Sequence, residues 1–281
     1  MSLRKRALPR GWYPADQREC QREIESYLEG WSPPPSVSGR GIGGIVPHAG
    51  WYFSGKLAAR VFYSLKSKGE VEVIVLYGGH LGPNDFPQIV MEEEWETPFG
   101  KIEIQTELAK SLMKRIDARK ESPWSGDNTI EVQLAMAKYF FPEAKLLAIR
   151  SPVSLRADAL GEEVAEIARN AGISAVAVGS TDLTHYGPNY GFLAKGIGPS
   201  AVEWVKKEND KGFIDRALKM DTAGLLKHAE ENDSACSAGA AAAAIATCKA
   251  LGAEKGILLD YYTSYDIMPD DSFVGYAGIV Y

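Results

Sequence analysis

Residues 71–83 read VEVIVLYGGHLGP. Valine and isoleucine crowd into a short run that ends on a glycine pair and a histidine. Both faces of such a run are apolar, which is the pattern of a strand buried on both sides in a parallel sheet. Four other stretches share it: GIGGIVP (41–47), KLLAIR (145–150), ISAVAVGS (173–180) and GILLDYY (256–262). Helical patterns lie between them. Ser54 is placed to cap a helix carrying Leu57, Ala58, Val61, Phe62 and Leu65 on one face, and Thr106 to cap one carrying Leu108, Leu112 and Ile116. Residues 129–141 and 155–170 read as helices, the second ending in a turn at Ala171-Gly172, and 200–218 and 221–230 as surface helices. This alternation predicts an α/β fold: a single domain over residues 1–281 with a mixed, mostly parallel central sheet and helices on both faces. QIVMEEEWETPFGKIEI (88–104) reads as two short strands joined by a turn, the source expected for the mixed character, and FVGYAGIVY (273–281) as the final strand.

Composition narrows the function classes. Of 281 residues, 45% are apolar and 24% charged, so the chain is globular rather than disordered. The net charge is -6 with no basic stripe, which argues against a nucleic-acid partner. The least polar stretch, AGAAAAAIA (238–246), is far short of the roughly 20 residues of a membrane span. MSLRKRALPRGWYP at the start is basic without an apolar run behind it and does not read as a secretory signal. Three cysteines, Cys20, Cys236 and Cys248, leave at least one unpaired, and a reducing cytoplasm is the expected location.

Three of the four histidines share a setting. His48 follows GGIVP, His80 follows VIVLYGG and His185 follows AVAVGSTDLT; each stands past the carboxyl end of an expected strand in a glycine-containing turn. Ligands bind at that edge of open α/β sheets. The three imidazoles are therefore expected to converge, although any one alone is more simply a hydrogen-bonded loop residue. His228, in the polar LLKHAEEND, is expected to be solvated.

In DSACSAGAAAAAIATCKALG, Ser234 as N-cap would put Cys236 in the first turn of an Ala-rich helix, where the N-terminus favours a thiolate. The alternative is a small buried apolar residue, which suits Cys20 and Cys248 better. The small side chains suggest that this helix packs close to the sheet. Asp182, three residues before His185, is placed either to hold an imidazole tautomer or to cap a turn. Glu131 is placed either to line a site or to complement a helix dipole.

PHAGWYFSG around His48, VIVLYGGH around His80, STDLTHYGP around His185, the ACSAG cysteine and the early GWYPAD (11–16) resemble, in that order, the Memo family, component B of the AmmeMemoRadiSam group. The resemblance runs from about Trp12 to the last strand. It implies a fold similar to the LigB-type class III extradiol dioxygenases, whose non-haem iron is held by two histidines and a carboxylate. It implies a metal site of His48, His80 and Cys236, with His185 as acid/base and Asp182 beside it. It also implies a functional link to a radical SAM protein. The animal relative is associated with cell motility and receptor signalling, with a proposed phosphopeptide-binding role. Three departures stand out: Asn128 where a histidine is common before the helix, YGGH in place of GPNH, and Ser237 where glycine usually follows the cysteine.

Three functions are open on this reading. One is a metal-dependent oxidoreductase of the extradiol type, with iron and a small aromatic or anionic molecule or peptide as ligand. A thiolate in place of a carboxylate shifts preference toward copper(I), zinc or a differently tuned iron. The second is a non-catalytic metal-handling or phospho-ligand-binding protein. The third is zinc-dependent hydrolysis.

Overall fold

The computed structural model describes residues 2–37, 41–66 and 69–281. In chain order its strands are β1 (Leu3–Arg4), β2 (Gly43–Val46), β3 (Val73–Leu81), β4 (Gln88–Ile89), β5 (Glu94–Thr97), β6 (Gly100–Glu103), β7 (Arg119–Lys120), β8 (Lys145–Pro152), β9 (Ala175–Ser180), β10 (His185–Tyr186), β11 (Ile257–Thr263) and β12 (Phe273–Val280). Its helices are α1 (Gln17–Leu28), α2 (Trp51–Lys66), α3 (Thr106–Arg115), α4 (Asn128–Phe140), α5 (Arg156–Asn170), α6 (Pro199–Trp204), α7 (Asp210–Leu218), α8 (Thr222–Asn232), α9 (Ala238–Ala250) and α10 (Ser264–Ile267).

Among the described residues nine strands form the central sheet in the order β10-β12-β2-β9-β3-β8-β4-β7, with β11 also paired to β12. The heart of it, β2-β9-β3-β8, is parallel. The mixed character comes from β12, which runs antiparallel to β2, β10 and β11, and from β4 against β8. The hairpin expected within 88–104 exists as β5 and β6, but with β1 it forms a separate three-stranded sheet. GILLDYY is an edge strand, half-buried rather than buried on both faces.

Helices cover both faces. On one side α3, α5 and α9 pack on the sheet, with α7 and α8 joining the same apolar cluster beside α9; on the other α2 and α4 cover it, with α1 packed on α2. Residues Ala238 to Cys248 of α9 are all buried. A Cβ on Gly179 of β9 would stand 2.7 Å from the carbonyl oxygen of Ala240, and one on Gly161 of α5 2.3 Å from that of Ala243. The Ala-rich helix thus approaches backbone to backbone, as its composition suggests.

Several helix starts differ from expectation. Ser54 lies inside α2 and donates to the carbonyl of Ala49. Thr106 is the first residue of α3, and the residue before it, Gln105, makes no side-chain cap. The run 199–218 is broken by a π turn at Val205–Asn209. His228 is not solvated: its Nε2 lies 2.9 Å from the carbonyl of Asn209 and its Nδ1 3.1 Å from the amide nitrogen of Asn232. Among the described residues no helix is long and apolar enough to cross a membrane.

Candidate metal centre

The carboxyl ends of β2, β3 and β9 deliver the chemistry. His48 stands two residues beyond β2 and is buried; His80 is the penultimate residue of β3 and is partly exposed. Their rings meet edge to face with centroids 5.2 Å apart. Cys236 brings its Sγ to 3.1 Å from the Nε2 of His48. One donor atom from each of His48, His80 and Cys236 lies within 4.8 Å of the others.

Each donor is held from behind. Ser180 gives its hydroxyl proton to the carbonyl of Thr129 at 2.6 Å, so its oxygen accepts from the Nδ1 of His48 at 3.4 Å. That leaves the Nε2 lone pair of His48 toward Cys236. Burial, then the neighbouring His80, pushes the His48 imidazole down to about 3. It is neutral, as a metal ligand must be. The Nδ1 of His80 lies 3.2 Å from a carboxylate oxygen of Asp127. That oxygen also takes Arg150 at 3.1 Å, while the other takes the Thr129 amide at 3.0 Å and so caps α4. Burial raises the Asp127 carboxyl, but His80, Thr129 and Arg150 outweigh it and hold it well below the usual range. A carboxylate behind a ligating imidazole fixes ring and tautomer, a device common at metal sites.

Cys236 differs from the sequence reading. Its helix starts later, with Ser237 at the N-cap position, and Ser234 is buried without capping it. Cys236 lies in the approach, its amide donating to the carbonyl of Asp182 at 3.2 Å beside an antiparallel bridge between Leu183 and Ala235. Burial, then the Asp182 carboxylate, pushes the thiol up to about 12. The helix N-terminus does not make it a thiolate; a metal would have to displace the proton.

Asp182 acts as a clamp. Its Oδ1 accepts the amides of His48 at 2.6 Å and Ala49 at 3.3 Å. Burial raises it to about 6 against the pull of His185 and those amides. It does not set the tautomer of His185 by a hydrogen bond; the Nδ1 of His185 faces the carbonyl of Leu183 at 3.1 Å. Burial lowers the His185 imidazole, with Asp182 opposing. His185 stands outside the three-donor group, yet it lines the same cavity of about 480 Å³ with His48, His80, Asn128 and Asp182.

Glu131 lies elsewhere. Its carboxylate accepts the amides of Ala7 and Leu8 and the hydroxyl of Tyr13, tying down the N-terminal segment. That segment brings Trp12 to the cavity wall, where its carbonyl takes the amide of Trp51. Asn128 donates to the carbonyl of His48 at 3.1 Å. Asp127 was missed in the sequence; its signal was the Asp-Asn-Thr start of α4, an N-cap pattern. Cys20 and Cys248 are fully buried, as small apolar residues are.

A family model described as Memo-like protein matches residues 4–280. A MEMO1 family protein of Methanopyrus kandleri is 32% identical, covering 96% of this chain and 95% of its own. Another, from Nitrosopumilus maritimus, is 32% identical over 99% of this chain and 98% of its own. Among solved structures, an uncharacterized Escherichia coli K12 protein, JW3007, matches with TM-score 0.47 and 13% identity, over 79% of this chain and 91% of that one.

Proposed function

The chain belongs to the Memo family, and on that premise we propose that His48, His80 and Cys236 hold a transition-metal ion serving redox chemistry on a small molecule bound in the adjoining cavity. The observation that carries this reading is the convergence of the three donors, within 4.8 Å of one another, with His48 and His80 at the wall of that cavity and Cys236 behind His48. The donor set fits such an ion. Metal–nitrogen and metal–sulfur bonds of about 2.0–2.3 Å at tetrahedral angles put donors roughly 3.2–3.7 Å apart; Cys236 and His48 stand at 3.1 Å, and all three donors lie within 4.8 Å. Three protein ligands leave a coordination position for a substrate, the feature that separates catalytic from structural sites.

When bound, the ion supplies Lewis acidity and, if iron or copper, a redox couple. The protein does the rest. Ser180 and Asp127 fix the two imidazoles. Asp182 anchors the His48 loop. His185, kept neutral by burial with its Nδ1 toward a carbonyl, offers Nε2 as the base that takes a proton from a bound hydroxyl group. The side chains around the cavity orient the molecule and exclude water.

The buried thiol favours a second reading, in which the site holds copper(I) or zinc without redox turnover, because a thiolate is a soft ligand. Anaerobic purification without added metal, elemental analysis, and oxygen uptake on a catechol separate the two. Stoichiometric iron with oxygen consumption that requires His185 is the result expected. Full occupancy by copper(I) or zinc with no uptake would replace the first reading by the second.

A further inference from the structure

The charge of the cavity indicates what it takes. Its acidic lining residues are Asp182 and Asp270, and among the described lining residues there is no lysine or arginine. Arg150 is near, but it is engaged by Asp127 at 3.1 Å. Even with a divalent ion in place, the Cys236 thiolate and the carboxylates of Asp182 and Asp270 outnumber its charge by one. A phosphate or carboxylate would enter an anionic site with no guanidinium or ammonium to receive it, the reverse of how such groups are recognised.

Beside the histidines and the polar Asn128, Asn189, Ser264 and Ser272, the wall carries five large aromatic and apolar side chains: Trp12, Phe53, Tyr190, Tyr276 and Met268. The two carboxylates are felt there. Burial, then Asp182 and Asp270, raises the phenol of Tyr190, and burial, then Asp182, raises that of Tyr276. Asp270 is exposed, with Oδ1 taking the amide of Ser272 at 2.9 Å, which leaves its other oxygen free for a ligand among the hydrogen bonds described. Aromatic side chains beside a carboxylate make a setting that attracts cations.

We propose that the ligand of this cavity is a small molecule with an aromatic body and a protonated alkylamine arm, the ammonium seated at Asp270 beside Tyr190. The inference rests on the reading of the cavity as the ligand pocket of the metal centre. The carboxylates only decide the charge of what enters.

Three phenols differing in the arm provide the test: tyramine (cationic), 4-ethylphenol (neutral) and 3-(4-hydroxyphenyl)propanoate (anionic). Affinities are measured by calorimetry and ligand-observed NMR on zinc-loaded and metal-free protein at neutral pH. Tyramine should bind about five- to tenfold more tightly than 4-ethylphenol, the scale of a partly screened ion pair with ring contacts, and the propanoate most weakly. Asp270→Asn should erase the advantage of tyramine and leave 4-ethylphenol unchanged. Asp271→Asn, at the next residue and outside the lining, should change neither. Failure of tyramine to bind, propanoate binding as tightly as tyramine, or an unchanged preference in Asp270→Asn would overturn the proposal. Metal content is read separately. Loss of the charge preference in metal-loaded protein sinks this inference alone, and a protein that takes up no zinc sinks the metal reading while the metal-free arm still reports the preference.

Discussion

Asp127 stands with one carboxylate oxygen 3.2 Å from the Nδ1 of His80 and the other on the first turn of α4. One side chain thereby couples a helix start to the aim of a metal-facing imidazole. Asp127→Asn keeps a capping oxygen but loses the charge that holds Nδ1 protonated. It should weaken zinc affinity about 10- to 100-fold, the range for partners behind ligands, and also lower the melting temperature, because Arg150 loses its buried partner. Chelator competition measures this; an affinity within twofold of the native protein would remove Asp127 from the account.

Metal uptake should release one proton. His48, at about 3, has none to lose above pH 5, whereas the Cys236 thiol, near 12, carries its proton throughout the accessible range. Metal must displace it, so affinity should rise about tenfold per pH unit between pH 7 and 9, after correction for the chelator. In Cys236→Ala the slope should vanish along with most of the affinity. A flat profile in the native protein would mean that the thiol is not a ligand.

The same protonation state reverses the reactivity suggested by sequence. In metal-free protein at pH 7, Cys236 should alkylate slowly because little thiolate is present, and Cys20, also raised to about 12 by burial and then by Glu23, should do the same. Timed mass spectrometry with iodoacetamide checks this, and rapid selective labelling of Cys236 would contradict it.

Asp210 predicts a pH effect on stability. It is buried and takes the Thr184 amide at 3.0 Å and the Tyr261 hydroxyl at 2.7 Å; burial still raises it to about 7. The folded state therefore holds a proton that the unfolded state releases near pH 4. Stability from this group is full below that value and falls as pH rises toward 7, by at most about 4 kcal/mol. Denaturant titrations of native and Asp210→Asn protein should show the native curve losing more stability between pH 5 and 7.5. Parallel pH dependences would refute the assignment.

The sheet's parallel heart was legible because residues such as Val73–Tyr77 and Ala175–Val178 are apolar on both faces, and the convergence of His48 and His80 followed from strand direction. Less local features were not. The hairpin at 94–103 carries a strand pattern that cannot say which sheet it joins, and β1, only two residues long, decides that. Cys236 was assigned to a helix turn because Ser234 is a good capping residue, but pairing between Leu183 and Ala235 extends the chain there. His228 looked solvated because its partners, Asn209 and Asn232, come from the π turn and from the end of its own helix. Asp127 escapes a sequence reading: the Asp-Asn-Thr pattern marks only an N-cap, and that the same side chain faces His80 depends on where β3 ends.

The central claim is that His48, His80 and Cys236 together bind one metal ion. Titrating metal-free protein with cobalt(II) tests it directly, because tetrahedral coordination gives intense visible bands and a cysteine ligand adds a thiolate charge-transfer band in the near ultraviolet. The native protein should saturate at one equivalent with both signatures. Cys236→Ser should lose the charge-transfer band, His48→Ala and His80→Ala should each bind cobalt far more weakly, and His185→Ala should retain the native spectrum. A charge-transfer band that survives in Cys236→Ser, or its loss in His185→Ala to the same extent as in His48→Ala, would contradict the assignment of these three ligands.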